Sequence, residues 1–310
     1  MMNRKTYQSE RWSSTAIGIV FAALLLSCMG TSPAPIAEKP SVKEVKHVSL
    51  EAPRDQALEV AYIGNMGVLV EKGESTVLID GLHDFYKPAY AHPDAATIDA
   101  LIAGNYPNFT SIEMDLVTHE HGDHFDSDIT ARFLEENPEA LCIVPAPVHE
   151  MISEAAVENE EVMERVLIAT DQDGPRHTAH AGIQIISADC KHSYPARHSA
   201  IANVAHLITM GETRILHVGD TDRDFLIETC QALDLQQDSI DLVIFPSWLL
   251  LSDWPELEEY ILAGQLLATH IDPREAESRT TQVQKYFPEA ICLTELGWYG
   301  EFPLLSKSKD

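Results

Sequence analysis

The chain has 310 residues, 45% of them hydrophobic and 23% charged, a balance that allows a sizeable core and excludes a wholly disordered protein. Its formal charge is −28, and a surface that acidic repels phosphate backbones and anionic lipid head groups, so nucleic acid is not an expected partner. Arg4, Lys5 and Arg11 against Glu10 leave residues 1–27 basic, so the negative charge belongs to the remainder of the chain.

In chain order, a polar, basic opening leads into the apolar run TAIGIVFAALLLSC, which is too short to span a bilayer comfortably. That layout predicts a secretory signal. Leu25-Leu26-Ser27-Cys28 resembles the lipobox of bacterial lipoproteins. The resemblance implies a signal peptide over 1–28, lipidation of Cys28, and an exported chain anchored to a membrane and facing the periplasm. By the same resemblance Met29, in place of aspartate, favours the outer membrane. Residues 29–56 are rich in Pro, Ser, Ala and Lys without apolar periodicity and read as a flexible linker.

From about Leu58 onward short apolar runs alternate with turns and helical stretches, the pattern of an α/β domain over 57–305. LEVAYIGNMGVLVEKGESTVLIDG predicts successive strands punctuated at Gly64 and Lys72-Gly73, and MDLVTH predicts a short buried strand. SDITARFLEENP predicts a helix capped by Asp126 or Ser127, and EMISEAAVENEEVMERVL reads as helix throughout. EALCIVP, GIQIISADC, NVAHLITM, TRILHVGD, SIDLVIFP, GQLLATH and AICLTE predict further strands. Four cysteines remain beyond Cys28: Cys142, Cys190, Cys230 and Cys292. Export would permit disulfides, but Cys142 and Cys292 sit in apolar runs, so buried free thiols are expected, and none has metal-site spacing.

The richest chemistry lies in VTHEHGDHFD, where His119, His121, Asp123 and His124 place four ligand-type groups within six positions. In an extended loop His119 and His121 point to one side, while the adjacent Asp123 and His124 can project to a neighbouring point. Such a loop could serve two cations, since imidazole and carboxylate both ligate divalent metals.

Thr118-His119-Glu120-His121-Gly122-Asp123-His124 resembles the signature of the metallo-β-lactamase-fold superfamily, and the resemblance should run from about Leu58 to Phe302. It implies a four-layer αβ/βα sandwich, two mixed β-sheets flanked by helices, with a metal site at one edge. It also implies three further ligands: a histidine, a bridging aspartate and a last histidine. Asp220, after the strand RILHVG, fits the bridge, and His270 in LLATHIDP fits the last. For the remaining histidine both His192 and His198 qualify; His192 is preferred as nearer its strand end, with His198 left as a contact to substrate or to a ligand. His206 and His217 lie inside predicted strands, where packing roles suffice.

The resulting expectation is one metal held by His119, His121 and His192, another by Asp123, His124 and His270, and Asp220 between them. Nitrogen-rich ligation suits two Zn2+, with Mn2+ or iron as alternatives. Relatives with di-iron redox chemistry usually carry glutamate where this chain has His121, which favours hydrolysis. A hydroxide shared by the two ions would then attack an ester, lactone, amide or phosphodiester bond of a small or lipid-like substrate, with Asp123 and Asp220 as catalytic carboxylates. Asp80 resembles an acidic group that steadies the histidine loop. Trp248, His83, Trp298 and Tyr299 are candidates to line the pocket, against simple packing. The competing readings are a metal-binding lipoprotein without turnover and a nucleic-acid phosphodiesterase.

Overall fold

The structure is a computed structural model that describes residues 57–303 apart from 158, 172–173 and 238. The proposed signal, Cys28 and the linker lie outside the described residues. No helix among the described residues is long and apolar enough to cross a membrane.

Two mixed sheets form the centre of the domain. The first contains β1 (Ala57–Gly64), β2 (Gly67–Lys72), β3 (Ser75–Ile79), β4 (Met114–Leu116), β5 (Leu141–Val144) and β6 (Val166–Ile168), with the last strand in the chain, β15 (Tyr299–Pro303), beside β1. The second contains β7 (Thr170–Asp171), β8 (Gly174–His180), β9 (Ile183–Asp189), β10 (Val204–Met210), β11 (Thr213–His217), β12 (Ile240–Pro246), β13 (Ala263–Thr269) and β14 (Ile291–Cys292), in the order β14-β13-β12-β11-β10-β9-β8-β7. Antiparallel hairpins begin each sheet, and parallel pairs β3–β4–β5–β6 and β11–β12–β13–β14 carry the crossover helices.

Strand alternation builds the layers. Leu58, Val60 and Tyr62 of β1 face the second sheet, where Leu242 and Ile244 of β12 meet the same core. Ala61 and Ile63 face outward against α1 (Ala95–Ile102), α2 (Ser127–Glu136), α3 (Ala146–Ala155) and α4 (Glu160–Met163). On the far side Val243 and Phe245 pack under α6 (Arg223–Ala232), α7 (Pro255–Tyr260) and α8 (Ala276–Tyr286), while the one-turn α5 (Pro195–His198) sits in the loop after β9. Central strands are thus apolar on both faces, as strands covered by helices must be. The result is the expected four-layer α/β sandwich.

Some local expectations need correction. The segment EMISEAAVENEEVMERVL is not one helix: α3 starts earlier and stops at Ala155, one turn of helix comes next, and Val166–Ile168 form β6. Its apolar spacing fits a helix, but the β-branched Val166 and Ile168 pair with β5 instead. The polar strand β8 and the closing strand β15 carry too little apolar alternation to be read in advance. The four cysteines among the described residues are free; Cys142, Cys190 and Cys230 are buried, but Cys292 is only half-buried on the short β14.

Candidate metal centre

Every candidate ligand sits just beyond the end of a strand, where side chains leave the sheets and converge. Asp80 follows β3, His119 to His124 follow β4, His192 follows β9, Asp220 follows β11 and His270 follows β13. Backbone bonds hold these loops together: Thr118 O accepts from Val204 N at 2.9 Å, joining the two sheets, and Ser193 N donates to Asp220 O at 2.6 Å. A bridge between His192 and Thr221 fixes the same pair of loops.

Sharp turns aim the side chains. Asp80 and His270 adopt φ of +48° and +51°, a left-handed backbone that aspartate and histidine tolerate better than most residues. Gly219, at φ +56°, lets the loop before Asp220 pass under Thr118; a Cβ there would lie 2.7 Å from Thr118 Cβ and collide with Asn203 Oδ1.

Two groups of ligand atoms result, one of His119, His121, His192 and Asp220 and one of Asp123, His124 and His270, each with its atoms within 4.8 Å of one another. In the first, His121 Nδ1 lies 3.0 Å from His119 Nε2 and 3.2 Å from His192 Nε2, and His192 Nε2 lies 3.7 Å from Asp220 Oδ2. In the second, His270 Nε2 lies 3.4 Å from Asp123 Oδ2, and His124 Nε2 lies 3.7 Å from the same oxygen. Asp220 reaches both groups, its Oδ1 being 3.3 Å from His124 Nε2 and its Oδ2 3.3 Å from His270 Nε2. A four-coordinate cation with bonds of about 2.0–2.1 Å separates its ligand atoms by about 3.3 Å, so these spacings fit divalent cations. Asp220 Oδ1 is buried, and apart from the His124 ring 3.3 Å away no side chain among the described residues bonds it, which also fits a carboxylate oxygen kept for a metal.

The groups around the ligands set their orientation. Asp80 is fully buried; its carboxylate accepts from Thr118 N at 2.8 Å and Thr118 Oγ1 at 2.7 Å, and pairs with His124 Nδ1 at 2.9 Å. This leaves His124 Nε2 turned towards the cluster. Asn203 braces Asp220 by accepting from its backbone N at 3.2 Å while donating to Val218 O at 3.1 Å. Asn65, in the β1–β2 turn at φ +48°, donates through Nδ2 to Asp123 Oδ2 at 2.9 Å and to Asp123 O at 3.2 Å. Its own carbonyl accepts from His270 N at 3.0 Å. Sequence reasoning missed Asn65, because an asparagine between Gly64 and Gly67 signals only a tight turn.

Electrostatics differ between the groups. Burial, reinforced by neighbouring histidines, holds His119 well below the ordinary imidazole range and takes His121 down to about 4; burial also lowers His192. Those three rings are therefore neutral, with lone pairs available. Burial opposes a charge on His124 and His270 as well, but Asp220, with Asp80 for the former and Asp123 for the latter, outweighs it. His124 is pushed well above its usual range and His270 up to about 9. Burial would raise Asp220, yet His270 and His124 hold it well below the ordinary carboxylate range.

The other candidates divide between the rim of the cluster and the core. His198 stands behind His192, with the two Nδ1 atoms 3.1 Å apart, and its ring is edge-on to His121 at 5.2 Å. Trp248 stands edge-on to His270 at 4.7 Å, whereas Leu249, Leu250 and Trp254 are buried in the outer core. His83 does not line an open pocket; it is fully buried, its ring nitrogens 3.4 Å from the carbonyls of Gly64 and Asp84, and burial lowers it to about 4. Trp298 packs against the core between the sheets, and Tyr299 donates to Glu59 at 2.6 Å, so neither belongs to the ligand groups. His206 and His217 are buried strand residues, bonded near Ser187 and the Met66 carbonyl.

A family profile described as Beta-lactamase superfamily domain matches residues 75–290. The chain therefore belongs to the metallo-β-lactamase superfamily of metal-dependent hydrolases. Three solved structures illustrate the shared fold. Igni18, a metallo hydrolase from the hyperthermophilic archaeon Ignicoccus hospitalis, is 15% identical with a TM-score of 0.50, over 80% of this chain and 100% of that one. A possible metal-dependent hydrolase from Veillonella parvula is 13% identical with a TM-score of 0.52, over 81% of this chain and all of that one. The metallo-beta-lactamase fold protein YhfI from Bacillus subtilis is 14% identical with a TM-score of 0.50, over 79% and 99% of the two chains. At such identities the likeness is one of fold. No curated protein sequence matches the chain significantly.

Proposed function

We propose that this protein is a dinuclear metal hydrolase that cleaves an ester, lactone, amide or phosphodiester bond of a small substrate, with zinc favoured by its nitrogen-rich donors. The observation that carries this reading is the spacing of the ligand atoms around Asp220, 3.0–3.7 Å in both groups. His119, His121 and His192 would hold one cation, Asp123, His124 and His270 the other, and Asp220 would reach both. When bound, such cations lower the pKa of water to roughly 7 and stabilise negative charge on the attacked group.

The chain's own groups do the rest. Despite burial, which would raise it, Asp123 is held below the ordinary carboxylate range by its bond to His270 and the charge of His124. With Oδ2 bonded to Asn65, its second oxygen is available to orient an attacking water and take its proton. Asp80 and Asn203 keep His124 and Asp220 in place, so little reorganisation accompanies the reaction.

The test is hydrolysis of a chromogenic panel of esters, lactones, amides and phosphodiesters by protein purified without chelators. We expect turnover of at least one class, lost on chelation and restored by added metal; metal-loaded protein inert towards every class would instead support a binding role. We further propose that Cys28 carries the lipid anchor of an exported lipoprotein, on the lipobox resemblance. Mass spectrometry of the mature amino terminus checks this, and an unmodified Cys28 in membrane-associated protein contradicts it.

A further inference from the structure

The ligands that approach solvent are framed by aromatic rings from outside the ligand set. His121 is half-buried and the His270 side chain is 12% exposed, whereas His119 and His124 are fully enclosed. Trp248 stands against one edge of His270, and Tyr90 meets the same ring edge-on at 5.2 Å. Trp248 is held there because its Nε1 donates to Thr221 O at 3.0 Å.

Tyr90 in turn stacks on Tyr86, with centroids 5.9 Å apart and ring planes 14° from parallel. Tyr86 lies directly over the histidine loop: a Cβ on Gly122 would come within 3.0 Å of its ring. Tyr86 is nevertheless 42% exposed, so part of its ring stays open to solvent beside the cluster. Burial of a core does not account for that placement.

The loop also carries a cation. Lys87 is exposed, holds its ammonium 4.1 Å from the Tyr86 ring centroid and donates to the Tyr86 hydroxyl at 3.0 Å. In a chain of charge −28, an ammonium seated on the ring that covers the histidine loop runs against the general charge. A stacked aromatic pair receives flat apolar groups, and an ammonium beside it receives an anion.

We propose that the substrate is a small anion bearing a flat apolar group, which lies on the Tyr86–Tyr90 pair while its carboxylate or phosphate pairs with Lys87. This deepens the hydrolytic reading of the same site and rests on it. The aromatic face fixes the orientation of the substrate, and Trp248 limits how far it can slide past His270.

The test is a ligand-observed NMR titration of the full metal-loaded chain, its metal content measured first. The probes are phenylacetate and phenylphosphonate, with acetate, methylphosphonate and benzyl alcohol as controls; the two aryl anions separate a carboxylate preference from a phosphate one. We expect at least one aryl anion to bind roughly three- to tenfold more tightly than its methyl counterpart. Benzyl alcohol should bind more weakly than that aryl anion. Tyr86→Ala should abolish the ratio between aryl and methyl anions, whatever it does to anion affinity itself, since the Lys87 ammonium rests on that ring. Lys87→Ala should weaken the aryl anions and spare benzyl alcohol. Equal binding of aryl and methyl anions, benzyl alcohol binding as well as the anions, no binding of any probe at millimolar concentration, or indifference to both substitutions would overturn the proposal. An aryl-anion preference in protein holding fewer than two metals would leave this subsite standing and count against the dinuclear reading; two metals without the preference would do the reverse.

Discussion

The two halves of the candidate metal centre are built differently. The half formed by His119, His121 and His192 is all imidazole, with its rings neutral because burial opposes charge. His121 is half-buried, and His192 leans on the Ser193 carbonyl and on His198. The half formed by Asp123, His124 and His270 sits among carboxylates and is braced by Asp80 and Asn65, both buried. The second half therefore has a buried carboxylate and a buried carboxamide bonded directly to its ligands, while the first rests on neutral contacts, Thr118 Oγ1 at 3.1 Å from His119 Nδ1 and the Ser193 carbonyl at 2.8 Å from His192 Nδ1. Removing a brace should damage the second half more than the first, and removing the shared Asp220 should damage both.

Asp220→Ala should have the largest effect. It removes the one carboxylate near both groups, and we expect loss of at least one metal per chain and a fall in kcat/KM on the order of 10³-fold or more. Metal analysis and kinetics on a responsive substrate check this; retained activity would separate the halves and remove Asp220 from its role. Asp80→Asn keeps a residue that tolerates the left-handed turn but weakens the bond to His124 Nδ1. Metal affinity of the second half should drop about 10–100-fold, with a smaller loss at the first half, which Asp80 reaches only through Thr118 Oγ1, as measured by competition with a chromogenic chelator. Asn65→Ala leaves Asp123 without its fixed partner, and a drop of about tenfold at the same half is expected. His198→Ala should be mildest, a few-fold loss confined to the first half, because the His192 ring keeps its 2.8 Å contact with the Ser193 carbonyl. An effect of His198→Ala as large as that of Asp80→Asn would break the distinction between a half braced by a buried carboxylate and one resting on neutral contacts.

These differences also explain what could be read from sequence. The dense run His119, His121, Asp123, His124 was legible because four ligand types in six positions have no ordinary packing purpose. Asp220 and His270 were legible as polar residues closing apolar strands. His192 and His198 could not be separated by spacing, since both lie in one loop; pairing of His192 with Thr221 across that loop distinguishes them, and it is a tertiary contact. Asn65 was invisible because its role comes from a partner 58 positions away, Asp123. Likewise β8, whose residues are mostly exposed or half-buried, is a strand only because β9 pairs with it. Local pattern reveals elements with a buried face and residues with unusual chemistry; braces and edge strands are set by neighbours distant in sequence.

The most direct measurement is anomalous diffraction from crystals of metal-loaded protein, collected at the absorption edge of the metal found by elemental analysis. We expect two peaks in the domain, one ringed by His119, His121 and His192 and the other by Asp123, His124 and His270, with Asp220 between them. A single peak, or a metal ligated by His198 in place of His192, would contradict this arrangement of ligands.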